Sequence, residues 1–350
     1  MLKSDEFIKL CEEVGLNVVL RKKSNDTSIL WEDVFVNLSY QSVFYLGSSI
    51  EYYLAYERGH GWSCEDFSCI IFWDKKPISL WPVTVSNKDG AVNFTSQGRD
   101  LLPPIFVKAC SHKLMKNISI LVFRIVEKVL HHIGINKLIS APAFDGSNAL
   151  KNWHTLLMKN GAKCYLRHNL YVDLSLPYEK IKSFFRKSYK SLITAGERIW
   201  NVETLSISID IKVWEEFRLL HKEVSQGITR SIETWNLPYH SLLKGSSFLI
   251  TVRDNTSRMV GGGLFVITKD EGIYSIGAYD RNLFDKPIGH VVQNRAIQEM
   301  QKRGCRWYFI GQRFYPTDEL VPSDKELSIS NFKEGFSTHC FPRFKLVKIY

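Results

Sequence analysis

Apolar and polar positions alternate along the chain in two blocks that share one order. In the first, the runs FSCIIFW and ISLWPVTV flank a turn at DKKP, and a third run, AVNFTS, follows. A loop, QGRDLLPP, then leads to a long helical run that includes ISILVFRIVEKVLHHIG and to a short strand, KLISAP. In the second block, SFLITVR, a turn at DNTS, RMVGGGLFVI and GIYSIGAY precede the loop DRNLFDKPIG, a helical run and the strand CRWYFIG. Period-2 alternation marks half-buried strands, and Pro and Gly supply the punctuation. Asp74 and Asp254, and likewise Asp100 and Asp280, occupy matching places, each pair 180 residues apart. Each block therefore predicts an antiparallel meander, a loop, a helix and one further strand.

Between the blocks, GAKCYLRHNLYVDLSLPYEKI predicts a strand leading to a Pro turn. Helical stretches follow at YEKIKSFFRK, SYKSLITAGERIW and VWEEFRLLHKEVSQG. The boundary is expected near Leu176 to Tyr178, which gives domains 1–176 and 177–350. The predicted class is α+β, with a mixed, mostly antiparallel sheet flanked by helices in each domain.

A length of 350 residues suits two domains, and 45% apolar with 23% charged residues is ordinary for a globular chain. Lys and Arg number 46 against 36 Asp and Glu, a net charge of +10. Such a surplus favours polyanionic partners: phosphates, nucleotide cofactors, RNA or an anionic membrane face. Seven scattered cysteines with no CxxC pair argue for reduced thiols in a cytoplasm. The N-terminal helix is charged throughout, unlike a signal peptide. The most apolar helix carries Arg124, Glu127 and Lys128 and is too short to span a bilayer. No segment is expected to cross a membrane, and attachment at the inner membrane face stays open. No grouping has zinc spacing, so no metal is expected.

The stretch GAYDRNLFDKPIGH, Gly277 to His290, raises a chemical question. The first amides of a helix lack internal partners and sit at the positive end of its dipole, a ready anion site. Gly289 lets backbone approach closely, Pro287 shapes the turn, and Arg281 and Lys286 add charge. Arg281, Lys286, Ile288, Gly289 and His290 are the expected contacts for a phosphate or pyrophosphate. The ordinary alternative is a capped helix with a solvated Lys286. In the first block GRDLLPPIF has two prolines and few free donors, so that domain is expected to bind no donor and to shape the acceptor site. There is no G-x-S-x-G elbow and no clear Cys–His pairing, so no covalent nucleophile is indicated.

The order of these elements resembles the GNAT acyltransferase fold used twice in tandem, and more narrowly the FemABX-related transferases and the BioF2-like acetyltransferases. RHNLYVDLSLPYEKIKSFFRKSYKSLITAGER resembles the crossover into the second domain, GITRSIETW the stretch ahead of its sheet, and SDKELSISNFKEGF its C-terminal FKxGF element. Two departures stand out. There is no room for the helical hairpin of the members that charge peptidoglycan precursors, and DKPIGH has one Gly where acetyl-CoA-binding GNATs have more.

The resemblance implies an N-acyltransferase whose acceptor is a small molecule, an amino sugar or a glycan precursor. The donor is an acyl-CoA as co-substrate, its pyrophosphate at the Gly289 loop, or alternatively an aminoacyl-tRNA. The resemblance places Lys333 near the transferred acyl group, with a surface lysine as its ordinary alternative. Tyr279 and Asp280 end the strand facing the reacting centre, where Asp280 takes the amine proton or simply caps a turn. Tyr274 and Tyr279 are five apart, so on an ideal strand only one of them lines the cleft. Arg230 is expected to bind an acceptor carboxylate or phosphate, or to pack on Trp235. Arg186 and Lys190 share a helical face, as phosphate contacts or a solvated surface. Ser323 and Glu326 form a capping box. A non-catalytic RNA-binding module and a scaffold for polysaccharide assembly are the competing functions.

Overall fold

The computed structural model describes residues 2–147 and 149–350. The chain forms two compact units, one of residues up to Leu166 with Arg343–Tyr350, the other Arg167–Pro342. The first division thus falls at 166 rather than 176, and the last eight residues (343–350) return to the first unit. Strand pairing explains both differences. His168–Asp173 pair with a strand of the second unit, and Leu346–Ile349 pair with Lys137–Ser140 of the first.

The first unit contains α1 (Ser4–Glu13), β1 (Asn17–Leu20), α2 (Asn25–Val36), α3 (Gly47–Gly59), β2 (Ser63–Asp66), β3 (Cys69–Trp73), β4 (Lys76–Trp81), β5 (Thr84–Lys88), β6 (Ala91–Thr95), β7 (Ile105–Phe106), α4 (His112–His132), β8 (Lys137–Ser140) and α5 (Asn152–Lys159). Its sheets run β1-β3-β4-β7 and β2-β5-β6. The run ISLWPVTV is two strands, not one. Proline has no amide to give a ladder, so Pro82 ends β4, and β5 joins the other sheet. Helix α4 does not start at the two prolines. It begins at His112, where the Ser111 hydroxyl accepts the Leu114 amide at 3.3 Å. Ile118, Val122, Ile125, Val126 and Val129 form its buried face, in one core with Phe7, Phe67 and Trp81.

The second unit opens within β9 (Lys163–Asp173) and continues with α6 (Tyr178–Phe184), α7 (Lys187–Ile199), β10 (Asn201–Leu205), α8 (Ile211–Ser225), α9 (Ile232–Leu243), β11 (Ser247–Arg253), β12 (Met259–Ile267), β13 (Glu271–Tyr279), α10 (Ile288–Lys302), β14 (Trp307–Arg313) and α11 (Asp324–Glu334). The last strand, β15 (His339–Ile349), carries the chain back to the first unit. Sheet order is β10-β11-β12-β13-β14-β9, antiparallel except for β13 with β14. The meander and its following loop, helix and strand stand as the alternation predicts. Strands β10 and β15 are additions that the repeat pattern did not indicate.

Three successive glycines in β12 set how closely the helices sit. A methyl at Gly261 or Gly263 would meet Ile288 or Val292 of α10 (2.5 and 3.1 Å), whereas one at Gly262 would meet Phe217 of α8 (3.1 Å). Alternation thus puts α10 and α8 on opposite faces of the sheet. At Gly262 the added carbon would also lie 2.8 Å from the Ile250 carbonyl, which cannot swing away. Gly262→Ala should lower unfolding free energy by about 1–3 kcal/mol in denaturant titrations. Unchanged stability would show that α8 does not pack this tightly.

Candidate active site

The parallel ladder between β13 and β14 lasts for three pairs, Glu271 with Trp307, Gly272 with Tyr308 and Ile273 with Phe309. Beyond them β13 continues to Tyr279 and β14 to Arg313 without pairing to each other, while β12 and β9 still hold their outer edges. Register with β9 shifts between Phe309 and Gly311, and Gly311 takes φ of 148°. That conformation suits glycine. Gly311 also makes room, since a methyl there would lie 2.7 Å from Lys333 Nζ. Lys333, in the last turn of α11, therefore lies against β14 where the strands part.

Its ammonium sits 5.6 Å from the Tyr274 ring centre and forms no ion pair among the described residues. Burial holds its pKa below the ordinary lysine value. The Tyr274 and Tyr279 hydroxyls hydrogen-bond to each other at 2.9 Å, which overturns the expectation that only one lines the cleft. The cause is a bulge. Leu264 pairs with Ile276 and Phe265 with Tyr274, so Ser275 is the extra residue and side-chain parity resets. Burial pushes the Tyr274 hydroxyl up to about 12 and that of Tyr279 well above its usual range. Both keep their protons at neutral pH. Behind them, the Tyr308 hydroxyl donates to Gln293 of α10 at 2.6 Å.

The start of α10 lies on this same face, and only part of the expected donor set is open. The Ile288 amide already donates to the Lys286 carbonyl at 2.9 Å, and its side chain is buried against Gly261. Ile288 is thereby a core residue. The amides of Gly289 and His290 are the remaining donors of the first turn. The His290 ring stands edge-on to Tyr189 (4.5 Å) and Phe332 (5.1 Å). Burial, then the Arg186 charge, lower its pKa to about 4, so it is neutral, by burial rather than by the helix dipole. Arg281 and Lys286 are exposed, and Lys286 pairs with Asp285 at 3.1 Å. Asp280 has neither oxygen idle: Oδ2 accepts from Arg258 (2.9 Å) and Oδ1 from the Asn282 amide (3.0 Å). The turn-capping alternative describes its contacts.

Arg230 and Trp235 belong elsewhere, with α8 and α9. Arg230 Nη1 donates to His221 Nε2 at 2.9 Å and to Thr229 at 3.2 Å, and its guanidinium lies 5.6 Å from the Trp235 ring. These side chains, with Arg218, Lys222 and Ile228, line a cavity of about 200 Å³. Burial, then Arg230, lower His221 to about 4. Because α8 and α10 cover opposite faces of the sheet, the structure does not bring this cavity to the start of α10.

No family profile and no curated protein matches the sequence. Solved structures do match the fold. FemX aligns at a TM-score of 0.66 and 12% identity, over 92% of this chain and 96% of FemX. L-PGS from Bacillus licheniformis aligns at 0.56 and 11%, over 92% and 91%. A tandem GNAT protein from the clavulanic acid biosynthesis pathway aligns at 0.50 and 11%, over 95% and 98%. The fold is the one that FemX and the tandem GNAT protein share.

Within this fold, Arg186 is committed to structure. It donates to the Asn331 carbonyl and side-chain oxygen, both at 3.0 Å, and so ties the start of α7 to α11. Lys190 is exposed on α7. Among the described residues no group of three or more His, Cys, Asp or Glu is placed to hold a metal ion. Sequence reading did not single out Gln293, Tyr308 or His221. Gln293 and Tyr308 sit within a helix and a strand whose apolar periodicity explains them as core, and only the fold shows that they touch.

The lowered pKa of His221 has a thermodynamic consequence. The unfolded chain takes up a proton there near pH 6.5, the folded chain only near pH 4, so stability is lost as pH falls through that window. His221→Gln should flatten the acid limb of stability against pH between those values. Identical limbs would contradict a buried, neutral His221.

Proposed function

We propose that the chain is an N-acyltransferase that moves an acyl group from acyl-CoA to an amine, with an amino sugar or glycan precursor of the cell surface as the acceptor class. The parting of β13 from β14, with Lys333 beside the Tyr274–Tyr279 pair, carries this reading. Beyond the three-pair ladder, backbone groups of β13 face a gap instead of a partner strand, and an extended ligand with its own amides satisfies them as an added strand would. The Gly289 and His290 amides, with Lys286 and Arg281, then receive its pyrophosphate.

Attack by the amine forms the C–N bond and breaks C–S. Charge that develops on the carbonyl oxygen is met by the Lys333 ammonium at low dielectric. The leaving thiolate takes a proton from Tyr279, which burial keeps protonated at neutral pH. The proton lost by the amine restores the tyrosine through Tyr274. Asp280 shapes the turn in this scheme and is not the base. The α8–α9 cavity, with Arg230 over Trp235, lies on the other face of the sheet and takes no part in this step. The first unit binds no donor of its own.

One observation favours a second donor. With a single loop glycine and the Ile288 amide already used, the pyrophosphate site is sparse, and an aminoacyl-tRNA needs no such site. Thermal shift separates the two. With acyl-CoA as donor, Tm rises with CoA concentration, and at a hundredfold excess over Kd the gain is about 2.7 kcal/mol. A shift with charged tRNA and none with CoA would overturn the CoA reading.

Lys333→Ala should lower kcat by about 10²- to 10³-fold with acetyl-CoA and amino-sugar acceptors, followed by thiol release, while Tm stays nearly unchanged. Since the protonated form is the active one and burial lowers its pKa, the rate should fall on the alkaline side before pH 10.5, the ordinary lysine value. Parallel losses of kcat and Tm would make Lys333 a packing residue instead.

A further inference from the structure

Residues 178–200, which contain α6 and α7, hold Lys180, Lys182, Arg186, Lys187, Lys190 and Arg198 against only Glu179 and Glu197. Among the described residues none of these six cations forms an ion pair, although cations elsewhere in the unit do, as in Arg253 with Glu216 and Arg303 with Glu299. The buried face of α7, Tyr189, Ile193 and Gly196, is spent on the unit's own core. The opposite face, with Lys187, Lys190, Thr194 and Arg198, is left to solvent.

At Phe185 the backbone turns extended (φ −58°, ψ 142°) and the two helices meet at a corner. Phe185 is buried there, but Phe184 is 45% exposed at the tip of α6, with the Lys180 ammonium 5.4 Å from its ring. Phe184 thus keeps nearly half of its surface in solvent, beside a lysine with no carboxylate partner among the described residues.

We propose that this corner docks on an anionic lipid bilayer, Phe184 entering the interface while Lys180, Lys187 and their neighbours meet lipid phosphates. The composition favours lipid over RNA. Four of the six cations are lysines, which act as point charges toward headgroups, and the Arg186 guanidinium is already held by Asn331. RNA recognition relies on arginine forks and on several aromatics for stacking, and here a single ring is exposed. A cluster of four to eight cations with one apolar anchor is the pattern of reversible surface binding, without any helix that crosses. The inference is independent of the acyl-transfer reading, because it concerns where the chain sits and not what it transfers.

The test is co-sedimentation of the 350-residue chain with vesicles of phosphatidylcholine alone and of phosphatidylcholine containing about one-third phosphatidylglycerol, the anionic lipid of the assay. No acyl donor is present, so failure of the transferase reading does not affect the result. The chain should partition to the anionic vesicles only, and added salt should release it as the screening length shortens. Each of Lys180→Gln and Lys187→Gln should weaken binding about fivefold. Phe184→Ser should weaken it further, with circular dichroism melting unchanged for all three variants. Equal partition to neutral vesicles, or full retention by both lysine variants, would overturn the proposal. So would bulk RNA that displaces the vesicles and is itself released by the same substitutions, which would assign the face to nucleic acid.

Discussion

Three residue pairs hold β13 to β14, and the candidate chemistry depends on their ending there. A ladder that continued to Tyr279 would satisfy every backbone group on that edge and leave nothing for a ligand. It ends because β14 follows β9 instead, through a register shift at Gly311 that only glycine accommodates. The same glycine vacates the volume into which Lys333 folds, so one backbone irregularity opens the gap and places a cation beside it.

Burial drives four shifts at the gap toward the neutral form. It raises Tyr274 and Tyr279 and lowers Lys333 and His290. An ammonium held without a carboxylate among the described residues, against a tyrosine face, is costly by itself. The arrangement makes physical sense if a negative charge arrives during reaction, because the pre-positioned cation then acts at low dielectric without reorganising. Asp280 is likewise occupied, by the Arg258 ion pair and the Asn282 amide.

Much of the second unit was legible in the residues. Alternation marks β11, β12 and β13, the Pro-Gly loop marks the start of α10, and the Ser323–Glu326 box marks the start of α11, where the serine hydroxyl accepts the Glu326 amide. The FKEGF element drew attention to Lys333, though the neighbours it has in the fold were out of reach. What failed to show did so for identifiable reasons. The pairing of Tyr274 with Tyr279 depends on a bulge, and a bulge is a property of two strands, invisible in either. The loss of the Ile288 amide depends on a tight turn at Lys286. The break at Pro82 was present in the letters, since a proline within ISLWPVTV argues against one continuous strand. The unit boundary is set by long-range pairing of β9 and β15, which no local pattern encodes.

Hydrogen–deuterium exchange with and without CoA tests the central claim most directly, because it reports on the gap itself and needs no knowledge of the acceptor. If the parted strands hold the donor, peptides covering Tyr274–Tyr279 and the first turn of α10 gain protection while β11 and the first unit stay unchanged. Protection confined to other segments, or none at saturating CoA, would contradict a donor site between β13 and β14.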